Sequence, residues 1–379
     1  MTTFAPPGPA PATYPVPHGA EQGGVVVSRV TLQTIADRVG VSRMTVSNAF
    51  SRPDQLSAEM RRTILAAAAD LGYVGPDPSA RALARGTTGA VGVLLTESVG
   101  TAFLDPMAAA FFGAVAEELA PTGMAVVLLP STGSEGAIPA RDIPMDGALV
   151  YGCAGDYPAV DWLVKRKLPL VFVDGDPVEG ASSVLLDERH GSRLGAQHLL
   201  DLGHRRIAIL TMSKDATPRW APDAASISSN FVARERQAGW VETLAGAGVT
   251  PIVMGVHDNV EPDVSEGARA LLAGPDHPTA VLCFSDLMAA AVVHAAENAG
   301  LRVPEDLSVV GFDDSPLSRR LRPALTTVHQ DFDAKGKAAA AALTSSISRF
   351  RAGVAPAPEQ HRIPVDLVVR DSTAPPPST

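Results

Sequence analysis

Only two cysteines, Cys153 and Cys283, occur in the 379 residues of the chain. Both lie in apolar runs, which favours buried thiols in a reducing compartment over a disulfide framework. No apolar run approaches the ~18–20 residues that a membrane-spanning helix needs. The amino terminus has neither the positive cluster nor the apolar stretch of a signal peptide. We therefore expect a cytoplasmic protein with no membrane partner.

The sequence also lacks the short motifs of common enzymes: GxxxxGK[ST], GxSxG, HExxH and CxxC are all missing. The glycine-rich stretch at 86–92 precedes a strand-like run instead of following one, so it is not a dinucleotide-binding fingerprint. His190, His198 and His204 lie close together in sequence, but a structural role is favoured over metal binding. We therefore predict no enzyme, no cofactor and no metal.

Charge is unevenly distributed along the chain. The net charge is −10, yet residues 28–85 hold eight arginines, no lysine and five acidic residues. A cationic segment on an acidic protein indicates a polyanionic partner for that segment alone, although ordinary scatter of charge explains the number equally well. A length of 379 residues suits two or three domains, and 46% hydrophobic with 19% charged residues allows a large buried core.

Three short helical patterns follow one another between residues 30 and 72. Thr31 is a suitable cap for LQTIADRV, Ser42 for RMTVSNAF and Ser57 for AEMRRTILAAAADL. Gly40 provides a left-handed end to the first helix, and only two residues separate that helix from the second cap. This spacing predicts a helix-turn-helix.

Beyond residue 86, strand-like runs alternate with amphipathic ones, a pattern typical of parallel sheets covered by helices. Nine runs are strand-like: 90–95, 124–129, 147–152, 168–174, 182–187, 206–210, 251–256, 279–284 and 307–313. Nine strands are many for one sheet, so we predict two lobes. Between the second and third runs the residues are polar and interrupted by prolines, so the crossover helix there should be absent or very short.

These patterns divide the chain into five segments. They are a disordered Pro/Gly-rich tail (1–28), a helix-turn-helix headpiece (29–75), a short segment after a proline-rich break (76–88), a two-lobed α/β core (89–370) and a disordered tail (371–379). The sequence SARALARG within 76–88 is too short to be a stable helix alone, because nucleation is costly.

Several motifs are specific to one family. The headpiece carries V-T-L-x-x-I-A at 30–36, G-V-S at 40–42, T-V-S at 45–47 and L-G-Y at 71–73. Further along stand LLDLGHRRIAIL, ARERQAGW, CFSDLMAAA and AGLRVPEDLSVVGFDDSPL. Over residues 29–370 the chain resembles the lactose-repressor (LacI/GalR) family of bacterial transcription regulators. The resemblance implies a small all-α headpiece joined to an α/β core that resembles two-lobed periplasmic binding proteins.

For the headpiece, the resemblance implies binding to pseudo-palindromic operator DNA by a homodimer. The implied DNA-binding residues are Thr31, Ser42, Arg43, Met44, Thr45, Ser47, Asn48, Ala80, Arg81 and Leu83. Arginine can bind guanine and asparagine can bind adenine through paired hydrogen bonds, while hydroxyl groups suit phosphates. The resemblance also implies that residues 76–88 are a hinge helix and linker, from which Leu83 would insert between base pairs in the minor groove. The alternative roles are a phosphate contact for Arg43, a solvated side chain for Asn48, and helix capping alone for Thr31 and Ser42. For Leu83 the alternative is an ordinary leucine of the linker.

For the core, the resemblance implies a small-molecule effector, a sugar or related metabolite, bound between the lobes. The implied effector-binding residues are Thr96, Asp105, Asp174, Arg236, Ser285 and Asp313. Most follow the carboxyl ends of strands, where open α/β sheets bind ligands. Helix caps or ion pairs between the lobes are the alternative roles.

The sequence is compatible with two functions. The first is an effector-controlled DNA-binding regulator, most simply a repressor. The second is a two-lobed small-molecule-binding protein without DNA regulation. The headpiece favours the first, because a secreted solute-binding protein would begin with a signal peptide.

Overall fold

The computed structural model describes residues 30–75, 77–95, 99–131, 137–152, 158–215, 218–221, 228, 230–273 and 277–377. The chain divides between Ala84 and Arg85 into two compact units. That division falls within the segment 76–88 predicted as hinge and linker. The predicted tail at 1–28 lies outside the described residues, as does Cys153. Cys283 is a buried free thiol, as predicted.

The described part of the first unit is helical. Its helices are α1 (Leu32–Val39), α2 (Arg43–Ser51), α3 (Ala58–Asp70) and α4 (Pro78–Arg85). Thr31, Ser42 and Ser57 cap the first three helices, as predicted, and each side-chain oxygen accepts a hydrogen bond from the amide three residues later. Gly40 ends α1 with φ 77°, a conformation that costs a glycine little.

A compact apolar core holds α1, α2 and α3 together. Its fully buried members are Ile35, Ala36, Val46, Ala49, Ile64 and Ala68. Only three residues separate α1 from α2, and the two helices share this core. Together they form the predicted helix-turn-helix. The hinge segment is helical as α4, and its Leu83 side chain is 87% exposed.

The described part of the second unit contains thirteen strands and ten helices. The strands are β1 (Ala90–Leu95), β2 (Ala125–Pro130), β3 (Gly147–Tyr151), β4 (Leu170–Val173), β5 (Ser182–Leu186), β6 (Ile207–Met212), β7 (Arg219–Ala221), β8 (Ile252–Val256), β9 (Ala280–Cys283), β10 (Ser308–Asp313), β11 (Thr326–Gln330), β12 (Gln360–Ile363) and β13 (Val365–Val368). The helices are α5 (Val99–Leu104), α6 (Pro106–Leu119), α7 (Pro139–Asp142), α8 (Pro158–Lys165), α9 (Glu188–Asp201), α10 (Phe231–Gly246), α11 (Asp263–Leu272), α12 (Asp286–Asn298), α13 (Pro316–Arg320) and α14 (Phe332–Arg351).

These strands form two sheets, one in each lobe. The first has the order β12-β5-β4-β3-β1-β2 and the second β13-β11-β10-β9-β6-β8-β7. Strand pairs are parallel except β11 with β13 and β7 with β8, which are antiparallel. Along the described strands, the chain passes between the sheets after β5, after β11 and between β12 and β13. The carboxyl ends of several strands therefore meet beside these crossings.

The predicted two-lobed α/β architecture is confirmed, and each of the nine predicted strands is present. The helix between β2 and β3 has only four residues, as expected from its prolines. Four strands were not predicted, namely β7, β11, β12 and β13. Each has three to five residues, and all four carry polar or charged side chains, so their sequences lack the continuous apolar run of a buried parallel strand.

The prediction of a disordered tail at 371–379 is wrong for its described residues, 371–377. Ser372 is fully buried, and its hydroxyl accepts a hydrogen bond from the amide of Thr326 (2.8 Å) and donates one to the carbonyl of Val309 (2.6 Å). His204 contacts the carbonyl of Ala374 at 2.9 Å, and burial lowers the pKa of this histidine. The prediction failed because it relied on the proline-rich composition. The segment is ordered by hydrogen bonds to backbone groups at the amino ends of β10 and β11.

Candidate DNA-binding headpiece and effector cleft

The exposed face of the headpiece includes the first turn of α2. Arg43 is exposed and Met44 is 70% exposed, so both predicted base-reading side chains are accessible to a ligand. Ser42 and Thr45 share a hydrogen bond of 2.8 Å between their hydroxyl oxygens. The amino-terminal amides of a helix favour anions, so this turn also suits a phosphate.

Other predicted DNA-binding residues are less free. Ser47 and Asn48 are half-buried, and Asn48 donates from Nδ2 to Gln55 Oε1 at 3.1 Å. This bond fixes the Asn48 amide within the headpiece. The hydroxyl of Thr31 is engaged in the cap of α1.

In the hinge helix, Ala80, Arg81 and Leu83 are all exposed. The Asp77 carboxylate accepts a hydrogen bond of 3.4 Å from the Ala80 amide and so caps α4. A leucine exposed on a short helix gains little from the helix itself. Its apolar surface is therefore available to be covered by another molecule.

Between the lobes of the second unit lies a cleft of about 160 Å³. A cavity of roughly 150 Å³ accommodates a six-membered ring. Polar side chains that line the cleft are Asp105, Tyr151, Asp174, Glu188, Asn230, Arg236, Asp258, Asn259, Asp313, Gln330 and Lys335. Many of them follow strand ends, as parallel sheets require of their ligand sites.

Arg236 is the central cation on the second-lobe side of the cleft, and it is only 4% exposed. Its Nε donates to Glu188 Oε2 at 2.7 Å, and its Nη1 lies 3.4 Å from Asp313 Oδ1. The ring of Phe312 lies 3.6 Å from the guanidinium carbon. Burial alone would lower the pKa of Arg236, but the charges of Glu188 and Asp313 raise it. The guanidinium is therefore held charged and in one orientation.

The carboxyl groups opposite Arg236 are strongly affected by their environment. Burial raises the pKa of Glu188 and raises that of Asp313 well above its usual range, while Arg236 opposes both shifts. Asp313 Oδ1 also accepts a hydrogen bond of 2.5 Å from Gln330 Nε2. Displaced pKa values in a cleft are typical of functional sites.

Two buried acceptor atoms of the cleft have no hydrogen-bond partner among the described residues: Asp174 Oδ1 and Gln330 Oε1. The other oxygen of Asp174 accepts from Lys335 Nζ at 2.5 Å. A buried acceptor without a partner is costly, so both atoms are suited to a ligand that donates hydrogen bonds.

The structure brings Asp105, Asp174, Arg236 and Asp313 together around the cleft. It does not place Ser285 on the cleft lining. Instead, Ser285 caps α12 and donates to Asn259 Oδ1 at 2.6 Å. Asp105 also caps α6, and Thr96 lies outside the described residues.

Sequence reasoning missed seven polar lining residues: Tyr151, Glu188, Asn230, Asp258, Asn259, Gln330 and Lys335. Glu188 directly follows the predicted strand 182–187 and could have been identified by that location. Gln330 ends a strand that was not predicted. Lys335 lies inside a helical pattern that carries no ligand signal. Among the described residues there is no metal-binding cluster of histidine, cysteine or acidic side chains, and no helix there is long and apolar enough to span a membrane.

Family models match both units. Residues 31–76 match the model for bacterial regulatory proteins of the lacI family. Residues 196–373 match a periplasmic binding protein-like domain.

Relatives align over most of their own lengths. An HTH-type transcriptional regulator of Mycolicibacterium smegmatis is 37% identical, with 82% of this chain and 89% of that protein aligned. The regulator IpsA of Corynebacterium glutamicum is 35% identical over 84% and 92%. The repressor PurR of Photobacterium profundum is 30% identical over 82% and 89%.

Solved structures with similar folds include the lac repressor dimer bound to operator and the anti-inducer ONPF. Its TM-score is 0.70 at 27% identity, covering 91% of this chain and 99% of that one. The CelR–cellobiose complex has a TM-score of 0.64 at 28% identity, covering 91% and 100%. The chain therefore belongs to the LacI family of bacterial transcriptional regulators.

Proposed function

We propose that this protein is an effector-controlled repressor that binds a pseudo-palindromic operator as a homodimer. The observation that carries the proposal is the exposed first turn of α2, where Arg43 and Met44 project from a helix capped by Ser42. A helix that enters the major groove presents its first residues to the base edges. Such a protein acts in the cytoplasm at the nucleoid, and it regulates transcription without catalysing a reaction.

Distinct roles on DNA follow for the headpiece residues. Arg43 reads a guanine and Met44 contacts a thymine methyl group. Thr31, Ser42, Thr45 and Ser47 contact phosphates, and Asn48 exchanges its bond with Gln55 for an adenine. Ala80 and Arg81 lie along the minor groove, and Leu83 inserts between base pairs.

In the cleft, the effector is a polyhydroxylated compound, a sugar or a related metabolite. Asp174 Oδ1 and Gln330 Oε1 can accept hydrogen bonds from its hydroxyl groups. The guanidinium of Arg236, held by Glu188, can donate hydrogen bonds to it. Asp105 and Asp313 contribute further acceptors, while Ser285 acts by orienting Asn259. Thr96, outside the described residues, stays a predicted effector-binding residue. Similar structures are described as complexes with cellobiose and with ONPG, which are sugars or sugar derivatives.

The proposal is tested by selecting duplexes from a random pool with the purified protein and then titrating the selected duplex with sugars. An inverted repeat whose binding weakens when a sugar is added supports it. Sugar binding without any selected DNA would instead favour the two-lobed binding protein without DNA regulation. A ligand that tightens DNA binding would make the effector a corepressor.

A further inference from the structure

Lys335 is a buried lysine on α14 whose side chain is 2% exposed and lines the cleft. Its ammonium nitrogen lies 4.5 Å from the centre of the Phe332 ring and 5.7 Å from the centres of the Phe111 and Tyr151 rings. The rings of Phe111 and Tyr151 stack on each other at 4.7 Å. The ammonium group thus has aromatic surroundings, nearest at Phe332, of the kind that attracts alkylammonium groups.

A carboxylate completes this arrangement. Asp174 Oδ2 lies 2.5 Å from Lys335 Nζ, and both side chains are at least nine-tenths buried. Asp174 Oδ1 is also buried and has no partner in the described chain. Lys335 therefore occupies one oxygen of Asp174 and leaves the other to face the cleft as an acceptor.

The backbone around Lys335 cannot shift readily. A Cβ atom at the neighbouring Gly336 would lie 2.6 Å from the Cβ of Ala114 and 2.9 Å from the carbonyl oxygen of Phe111. Helices α14 and α6 are thus packed backbone to backbone at this point. The backbone of Lys335 is therefore held against α6, and its ammonium group can move only by rotation of the side chain.

The charges that line the cleft are mostly negative, so each cation there matters for the ligand. The cleft lining includes five acidic side chains and two cations, Arg236 and Lys335. Arg236 is paired with Glu188 and Asp313 on the second-lobe side. Without Lys335, Asp174 and the three rings would form a vacant site for an ammonium group.

We propose that Lys335 is a specificity-determining residue of the effector cleft: a cation supplied by the chain itself that fills an ammonium site beside Asp174. The residue thereby restricts Asp174 to uncharged hydrogen-bond donors such as hydroxyl groups and excludes cationic effectors. This inference rests on the proposed effector function.

The first test needs no identified effector. The Lys335→Ala variant should melt at a lower temperature than wild type, because Asp174 becomes a buried charge without a counter-ion. Ethylammonium chloride, at about ten times its dissociation constant, should raise the Tm of Lys335→Ala by roughly 2–4 °C. It should leave wild type unchanged relative to sodium chloride of equal ionic strength. Lys337→Ala is the matched control, since Lys337 lies on the same helix but forms an exposed pair with Asp333.

If Lys335→Ala does not fold on its own, ethylammonium present during refolding should restore the folded protein. Lys335→Ala/Asp174→Asn, which lacks both charges, should fold without ethylammonium and show no response to it. Absence of any ethylammonium effect in a folded single variant overturns the proposal.

The second test separates a specificity role from a purely structural one. Binding of D-glucosamine and D-glucose, which differ by an ammonium in place of one hydroxyl, is compared by thermal shift. The single variant should prefer glucosamine over glucose by about tenfold more than wild type does. An unchanged preference overturns the proposal. Neither test involves DNA, so failure of operator binding would count against the proposed repressor function and not against this inference.

Discussion

Arg236 and Glu188 face each other in the cleft with 2.7 Å between Nε and Oε2, and neither side chain is more than 5% exposed. The pair joins α10 to α9 beside the chain crossing that follows β5. A buried charge without its partner is strongly destabilising, whereas a satisfied pair fixes geometry. The two residues therefore link the stability of the second lobe to the site where an effector would bind.

The first prediction concerns this pair. Arg236→Ala should lower the free energy of unfolding by about 3–5 kcal/mol, because Glu188 and Asp313 lose their counter-charge. It should also abolish the effector response while the folded variant still binds operator. Denaturant titration and fluorescence anisotropy measure the two effects. Arg193→Ala, which breaks an exposed pair with Glu242, should change little, and equal losses in both variants would contradict the argument.

A pH prediction follows from Asp286. Burial raises its pKa to about 6, against the hydrogen bonds from Thr327 and Ser315. Because the folded value exceeds the unfolded value of about 3.9, the folded chain binds this proton more tightly. Its contribution to stability is therefore fully present below about pH 3.9 and is lost as pH rises through about 6.

The measurement is the slope of unfolding free energy against pH between 4 and 6. In wild type, the titration of Asp286 should make the unfolding free energy fall as pH rises over this range. Asp286→Asn should lack this fall. Asp201→Asn, at an exposed position at the end of α9, serves as the control. Identical slopes for wild type and Asp286→Asn would show that this carboxyl does not titrate in the range.

The carboxyl-terminal segment gives a third prediction. Deleting residues 371–379 should destabilise the second unit, because the amide of Thr326 and the ring of His204 lose their partners. Each lost partner costs about 1–3 kcal/mol. Calorimetry should show a lower Tm for the deletion than for wild type. The single variant Ser372→Ala should lower the Tm by a smaller amount, because it removes only the bonds of the Ser372 hydroxyl group. A deletion with wild-type Tm would indicate a dispensable tail.

The fourth prediction concerns the hinge. Leu83 is 87% exposed, so its burial must come from outside its own short helix. We expect amides 78–85 to exchange rapidly in free protein and slowly in the operator complex, and Leu83→Ala to weaken operator binding far more than nonspecific binding. Hydrogen exchange by mass spectrometry measures the first effect. Equal protection in both states would exclude folding of the hinge on DNA.

Local signals were sufficient for much of this fold. The caps at Thr31, Ser42 and Ser57 were predictable because capping depends on a few adjacent residues, and the apolar strands because burial on both faces leaves a continuous run. The tail around Ser372 was not, because its order comes from hydrogen bonds to strands far away in sequence. Composition records no such partner.

In the cleft, too, some residues were predictable from the local sequence and others were not. Asp174 and Asp313 end apolar strands, so position alone indicated a ligand site. Lys335 lies beside Asp174, 161 residues earlier in the chain, because α14 packs on the first sheet next to α6. The actual contact of Ser285, with Asn259, likewise depends on how two loops meet.

In the proposed function, the first turn of α2 recognises DNA in a sequence-specific manner. The most direct test of this recognition is the ratio of affinities for a selected operator and a scrambled duplex of equal length, at one salt concentration, for wild type and Arg43→Ala. We predict a ratio of about 10³ or more for wild type. Arg43→Ala should lose about 1–3 kcal/mol at one symmetric G·C pair in each half-site. A wild-type ratio near one, or an equal loss on every sequence in the variant, would contradict the account.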